Sequence, residues 1–262
     1  MRLTVVGSAG SVAGPHNPAS CYLLEADAEG RTWRLVLDLG AGSIGPLQRY
    51  CDPARVDAVL VSHGHPDHCG DLGALSVLRR YGPAKDEELP RIPLLGPPGL
   101  DARVEQIGGA NDGKDISVFD FTSLRGGARI QWGPFDITTA DAWHPMPALA
   151  FRIEGPAERA VPGRGRVSLV YTGDTDWTDA ILDLARGADL LLAEAGWAHR
   201  EVNPPGVHLT ATQAAQLAAD SGAERLLLTH IASWVDPGLS LAQARAIRPD
   251  AVLAEPGAIH AI

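Results

Sequence analysis

The sequence predicts an α/β protein built as a four-layer αββα sandwich, two mixed sheets packed face to face with helices outside. Three observations predict it. Short runs rich in Val, Leu and Ile recur between turn residues, segments of helical period lie between some of them, and the two halves of the chain share a plan in which strands end in loops rich in His and Asp. No sequence repeat of fixed period accompanies that likeness.

The apolar runs 2–6, 20–25, 33–38, 57–61, 92–95, 116–121, 135–140, 148–153, 167–172, 188–193, 224–228 and 251–254 read as strands. Segments 71–80, 177–186, 210–221 and 239–247 read as helices. Residues 1–40 and 116–172 resemble strand meanders, whereas 57–80 and 167–228 read as strand, loop, helix units. At 262 residues the chain fits one domain, residues 1–262, because single cores stop growing at roughly 250–300 residues. The Pro- and Gly-rich stretches 82–99 and 154–166 read as surface loops too short to separate independent domains.

A formal charge of −10 argues against a large nucleic-acid partner, since affinity for a phosphate backbone comes mainly from Lys and Arg displacing counterions. A small anionic substrate stays compatible, because metal ions in a cleft supply local positive charge. Cys21, Cys51 and Cys69 are odd in number and form no CxxC pair, which points to a reducing compartment. With no signal-peptide pattern and no run of about 18 apolar residues, the expectation is a cytoplasmic protein without a membrane span.

The most informative segment is VLVSHGHPDHCGD, residues 59–71. An apolar strand runs into a turn carrying His63, His65, Asp67 and His68, followed by Gly70 and a helix. Alternation throws His63 and His65 to one side, so both reach one metal ion, and the turn at Pro66 sends Asp67 and His68 toward a neighbouring ion. Imidazole nitrogen and carboxylate oxygen suit Zn²⁺ and related metals. Further along, DAWHPMPALAFRI, YTGDTDW and LLLTHI present His144, Asp174 and His230. Taken singly, His144 also fits a loop histidine before proline, and Asp174 a turn or capping residue. DLLLAEAGW ends an apolar run at Glu194, and VHLTATQAA sets His208 just before a helix with Thr210 as its N-cap. These two also fit a solvated loop carboxylate and a helix-start residue.

The stretch from His63 to His68 resembles the HxHxDH signature of the metallo-β-lactamase superfamily, whose fold is the αββα sandwich. The resemblance covers nearly the whole chain. It implies one Zn²⁺ on His63, His65 and His144, a second on Asp67, His68 and His230, Asp174 bridging the two, and a hydroxide between the ions as nucleophile. Mn²⁺ or Fe suits the same donors. Two branches of true β-lactamases place Cys where this chain has Asp174, so the closer likeness is to the phosphodiesterase, lactonase and glyoxalase branches.

In the branch that includes tRNase Z and related phosphodiesterases, a Glu after a strand and a His in an HLT motif form an acid–base pair beside the metals. The resemblance therefore implies catalytic roles for Glu194 and His208 alongside Asp67, with an imidazole oriented by a carboxylate protonating the departing alkoxide. The glycine-rich residues 7–20 resemble that branch's first loop, in which backbone N–H groups approach a substrate oxygen. A finer resemblance, through GSAGSVAGP, PASCYLL, LQRYCDPA, DHCGDL, TGDT, EAGWAH and LTHIASW, is to the actinobacterial atypical class II cyclic-nucleotide phosphodiesterases. It implies that the partner is a small phosphodiester, a 3′,5′-cyclic nucleotide such as cAMP hydrolysed to the 5′-monophosphate.

A tRNase Z-like RNA 3′-end endonuclease and a lactone or ester hydrolase are the alternatives. Bacterial tRNase Z carries a long basic arm where this acidic chain has only the modest loop 154–166. Related enzymes often form homodimers, although no apolar stripe here marks an interface. Trp143, Trp177, Trp197 and Trp234 lie beside site motifs, where Trp197 or Trp234 is placed to stack on a base; packing is the commoner role of Trp. His16 and His199 are candidates to line the pocket, and His260 reads as tail.

Overall fold

The computed structural model describes residues 1–161, 164–197 and 203–262, without the side chains of 159–161 and 164. The first half of the chain forms β1 (Arg2–Gly7), β2 (Ala9–Gly10), β3 (Cys21–Ala28), β4 (Arg31–Leu37), α1 (Ile44–Leu47), β5 (Ala58–Leu60), α2 (Pro66–Cys69), α3 (Leu72–Tyr81), β6 (Ile92–Gly96), α4 (Leu100–Gly108) and β7 (Phe119–Ser123). The second half forms β8 (Arg129–Trp132), β9 (Phe135–Asp141), β10 (Leu149–Val161), β11 (Arg164–Tyr171), α5 (Asp179–Ala185), β12 (Leu190–Glu194), α6 (Ala211–Ser221), β13 (Leu226–Thr229), β14 (Ile231–Ala232), α7 (Pro237–Arg245), β15 (Val252–Leu253) and β16 (Ile259–Ala261).

Two seven-stranded sheets result, ordered β16-β1-β3-β4-β5-β6-β7 and β15-β13-β12-β11-β10-β9-β8. Each is antiparallel on one side and parallel on the other, β4 to β7 in the first and β11 through β12 and β13 to β15 in the second. The period of two along each strand explains the layers. Tyr22, Leu24, Leu35 and Leu37 face Phe135, Phe151, Leu169 and Tyr171 across the space between the sheets. Their neighbours Leu23, Val36 and Val59 turn outward with Leu72, Leu75 and Val104 of α3 and α4. On the far side Val170, Leu191 and Leu228 pack with Ile181, Leu217 and Ala244 of α5, α6 and α7. The central strands, β3, β5, β12 and β13 among them, are buried on both faces, which is why they read as continuous apolar runs, whereas β7, β8 and β16 expose a face. The αββα sandwich is therefore the observed fold.

Parallel strands point their carboxyl ends the same way, and sites in such sheets lie beyond those ends. A backbone hydrogen bond from Leu149 to Ser62, 2.9 Å long, ties the start of β10 to the loop after β5 and so joins the two sheets at that edge.

The structure departs from the sequence expectations in several places, with β8 outside the expected strands and β6 within the stretch 82–99 that reads as a loop. Residues 154–166 are not a loop: β10 and β11 continue through them, pairing Gly155 with Val167 and Pro156 with Arg166. Pro156 lies beyond the last β9 partner, Glu154 with Asp136, so its missing N–H breaks no bond to β9. The C-terminal residues, His260 among them, are not a tail but the edge strand β16, with His260 opposite Leu3 of β1. Helix α4 lies outside the expected helices, although Leu100 and Val104 have helical spacing and Gly109 closes the helix with φ 82°. The run 116–121 begins as a 3₁₀ turn before β7.

Phe151 is fully buried between the sheets. Phe151→Ala is expected to destabilise the fold by about 3–5 kcal/mol, read as a lower denaturant midpoint with an unchanged slope.

Candidate metal centre

The loops beyond the strand ends converge. His63 follows β5 by three residues and His65 precedes α2, whose first residue is Pro66; the fixed φ of proline suits that position. The turn of α2 then lifts Asp67 and His68 to the same side. Asp174 follows β11, Glu194 ends β12, His230 follows β13, and His144 lies in the loop between β9 and β10.

These side chains form overlapping groups whose ligand atoms lie within 4.8 Å of one another: His63, His65, His144 and Asp174; then Asp67, His68, Asp174 and His230; then Asp174, Glu194 and His208. In the first, His65 Nδ1 is 2.9 Å from His63 Nε2 and 3.1 Å from His144 Nε2. In the second, Asp174 is 3.2 Å from both His68 Nε2 and His230 Nε2, and Asp67 is 3.4 Å from His68 Nε2. Donors about 2.0–2.1 Å from a tetrahedral ion stand roughly 3.3 Å apart, so both spacings fit a metal. The hydrogen-bond inventory agrees. His68 Nε2, His230 Nε2 and Asp174 Oδ1 are buried without a partner, an arrangement that costs about 1–3 kcal/mol per atom unless something fills the space between them. The His/Asp clusters thus fit a dinuclear metal site.

The protonation of four of the five imidazoles in these two groups points the same way, and that of His68 does not. Burial lowers the pKa of His63, His65 and His144, and that of His230 to about 4, leaving neutral rings with a lone pair to give. Burial alone would raise Asp67, but the His68 ring 3.4 Å away holds it at about 2. His68 is pushed upward because Asp174 and Asp38 outweigh the effect of its burial.

Beside the clusters, His208 Nδ1 meets Glu194 Oε1 at 3.0 Å and lies 3.7 Å from Asp174. Glu194 is fully buried and also accepts from the N–H groups of Thr175 at 2.7 Å and Gly196 at 2.9 Å. Burial pushes Glu194 up to about 7, opposed chiefly by His208. Three donors on one carboxyl favour its ionised form. His208 resists its own burial through Glu194 and is raised to about 9. Thr210 caps α6 in a reciprocal capping box with Gln213, the backbone N–H of Trp197 donates to Leu209 O at 3.1 Å, and His144 Nδ1 meets Val207 O at 2.9 Å, so the chain on either side of His208 is fixed.

The glycine-rich first loop reaches the site by backbone. β2 pairs with β14 directly after His230, and Ser11 N–H donates to Asp67 Oδ2 at 2.8 Å. Gly10 is required there, since a Cβ would stand 2.3 Å from His230 O. Trp197 meets His208 edge-on at 5.3 Å, Trp177 packs beneath the outer helices, and Trp143 and Trp234 are exposed. His16 is exposed and faces a separate cleft with Arg49 and Tyr50. His199 lies outside the described residues.

Residues 34–231 match the family model described as a beta-lactamase superfamily domain. The chain belongs to the metallo-β-lactamase superfamily. A Mycobacterium tuberculosis protein described as uncharacterized is 40% identical over 94% of this chain and 86% of its own. The probable metallo-hydrolase YhfI of Bacillus subtilis is 27% identical over 88% and 87% of the two chains. Its crystal structure superposes with a TM-score of 0.81 at 26% identity, covering 99% of this chain and 98% of that one. A ribonuclease Z of Haloferax volcanii is 27% identical over 98% and 93%. The superfamily member described here is accordingly a metallo-hydrolase related to ribonuclease Z, and no helix among its described residues is long and apolar enough to cross a membrane.

One important residue of this metallo-β-lactamase-fold site escaped the sequence reading. Asp38, fully buried just beyond β4 at φ 55°, accepts from His68 Nδ1 at 2.7 Å, Ser62 Oγ at 2.8 Å, Ser62 N–H at 2.6 Å and the Tyr171 hydroxyl at 2.6 Å. It fixes the tautomer of His68 so that Nε2 faces the cluster. Its signal is a carboxylate ending the apolar run RLVLD, in the same strand-end position as Glu194.

Asp38→Ala is expected to weaken metal binding about 10–100-fold, measured by competition with a chromophoric chelator. Stripping the protein with chelator should lower its thermal midpoint, and adding Zn²⁺ back should restore it, because an ion bound only by the folded state stabilises that state.

Proposed function

We propose that this hydrolase is a dinuclear metal-dependent phosphodiesterase that cleaves a 3′,5′-cyclic nucleotide, such as cAMP, to the 5′-monophosphate. In this reading His63, His65 and His144 hold one divalent ion, Asp67, His68 and His230 the other, and Asp174 both; Zn²⁺, Mn²⁺ and Fe all suit these donors. When bound, two such ions lower the pKa of water toward neutrality and neutralise charge building on the phosphoryl oxygens.

The observation that carries the proposal is the Glu194–His208 pair, 3.0 Å apart and next to Asp174. Cleaving a cyclic phosphodiester breaks the bond from phosphorus to O3′ while water oxygen bonds to phosphorus, and O3′ leaves as a poor alkoxide unless it is protonated. His208 commits Nδ1–H to Glu194, which leaves Nε2–H to give that proton. Glu194 acts through the ring: its charge favours the protonated form, and the Thr175 and Gly196 N–H groups fix its position. Asp67, held by Ser11 N–H, keeps its carboxylate turned toward His68 and His230.

The ribonuclease Z relative supports a second reading, RNA 3′-end cleavage by the same groups. The charge of −10 favours the smaller anion. A lactone or ester hydrolase would use the same ligands but has less need of a buried imidazole–carboxylate acid.

The test is hydrolysis of bis(p-nitrophenyl) phosphate, cAMP, a precursor tRNA and a lactone panel by metal-analysed protein. cAMP turnover is expected, with a fall of about 10²–10⁴-fold in His208→Ala and loss of both metal and activity in Asp174→Ala. Lactone turnover unaffected by His208→Ala, with every phosphodiester untouched, would sink the proposal.

A further inference from the structure

A cavity of about 340 Å³ opens beside His65, walled by Pro97, Pro98, Leu100 and Met146 and edged by Arg103. Gly64, between His63 and His65, connects it to the site. Arg103 Nε donates to Gly64 O at 3.0 Å. A Cβ on Gly64 would lie 3.4 Å from Met146 Cε and 3.7 Å from Arg103 Cγ, so both side chains rest against the peptide that joins the two histidines.

Besides His65, the polar side chains of the cavity are Arg103 and Gln106, and both carry N–H donors. Arg103 Nη1 donates to Gln106 Oε1 at 3.2 Å, which turns that oxygen toward the guanidinium and leaves the amide's N–H₂ as a donor. Among the described residues Arg103 has no carboxylate partner, although the chain carries 32 Asp and Glu against 22 Lys and Arg. The cavity therefore offers flat apolar walls, a polarizable thioether and, on Arg103 and Gln106, donors at its edge. A phosphate would leave the proline and methionine walls unused. An aromatic ring with acceptor atoms on its edge uses both features, since sulfur and apolar faces pack on π-systems and a guanidinium donates to purine N7.

We propose that this cavity is the base subsite of the phosphodiesterase and selects purines. The base lies against Pro97, Pro98 and Met146, and Arg103 donates to N7. A pyrimidine has a smaller face and no N7. This assignment rests on the phosphodiesterase reading above and adds to it the part of the substrate remote from the bond that breaks.

The test uses the metal-loaded full chain. Binding of 5′-AMP and 5′-CMP by titration calorimetry, and kcat/KM for 3′,5′-cAMP and 3′,5′-cCMP, are compared for wild type, Arg103→Met and Met146→Ala. Thermal midpoint and metal stoichiometry establish that each variant is folded and loaded; because Arg103 also holds Gly64, Met146→Ala decides if Arg103→Met fails that check. Wild type should prefer the purine in both measurements, and each variant should reduce the preference about tenfold. Cyclic-nucleotide hydrolysis with an unchanged purine preference in the folded variants overturns the subsite and leaves the phosphodiesterase standing. No turnover of any phosphodiester overturns both.

Discussion

The carboxylate of Asp174 is the point on which the site's arrangement depends. It lies 3.2 Å from His68 and from His230, 3.7 Å from His63 and 3.7 Å from His208, and it is almost fully buried. A buried carboxylate among this many imidazoles is stable only if the positive charge around it is settled, and the histidines divide that task unequally. His68 is biased toward the charged form by Asp38 and Asp174, whereas His63, His65, His144 and His230 are biased toward neutrality by burial. Four neutral nitrogens and orphaned atoms on His68, His230 and Asp174 leave an interior whose polar groups are gathered but not satisfied. Such an interior destabilises the fold unless a cation offsets it, so metal binding and folding stability are linked in the proposed site.

The fold supplies the rigidity that such a cluster needs. Asp38, His63, Asp174, Glu194 and His230 all stand at or just beyond carboxyl ends of neighbouring parallel strands, where backbone ladders behind them fix their origins. Tyr171, from one sheet, hydrogen-bonds Asp38, from the other, so the support of His68 spans the sandwich. Local strain is concentrated here as well. Of the non-glycine residues with positive φ, Ser11, Asp38 and His230 touch the site, and such a backbone, costing of order 1–3 kcal/mol, persists because packing on both sides determines it. Gly40 shows how close that packing is: a Cβ would fall 2.0 Å from the carbonyl oxygen of Asp67.

How much of this was legible in the sequence follows from which interactions are local. Strands such as 20–25 and the inner half of 33–38 could be read because burial on both faces leaves an apolar run, and α6 because Thr210 and Gln213 lie three apart. The extension of β10 and β11 through 154–166 was hidden, since Gly155 and Pro156 signal a break and only the distant end of β9 makes proline harmless. β16 was hidden because Ile259–Ala261 becomes a strand by pairing with β1 at the opposite end of the chain. In the site, His63 to His68 announce themselves by spacing. Asp38 does not, because one carboxylate after one strand is common and its significance comes from His68, Ser62 and Tyr171 together.

Charge placement then bears on how the proposed reaction meets its substrate. The chain as a whole repels an anion, and the long-range field offers a phosphodiester no attraction. Attraction has to be short-ranged, from ions in a cleft and from cations left without carboxylate partners near it. Many arginines elsewhere are neutralised where they stand: Arg2 by Glu25, Arg55 by Glu87, Arg166 by Asp136, Arg248 by Asp250. Arg103 is committed instead to a carbonyl and an amide next to His65, which spend hydrogen bonds but leave its charge intact. Within a Debye length of about 8 Å at physiological salt, that charge acts on a ligand at the site. A net negative chain disfavours a long polyanion, whose many phosphates must lie on the surface, far more than a small one whose single phosphate enters the cleft.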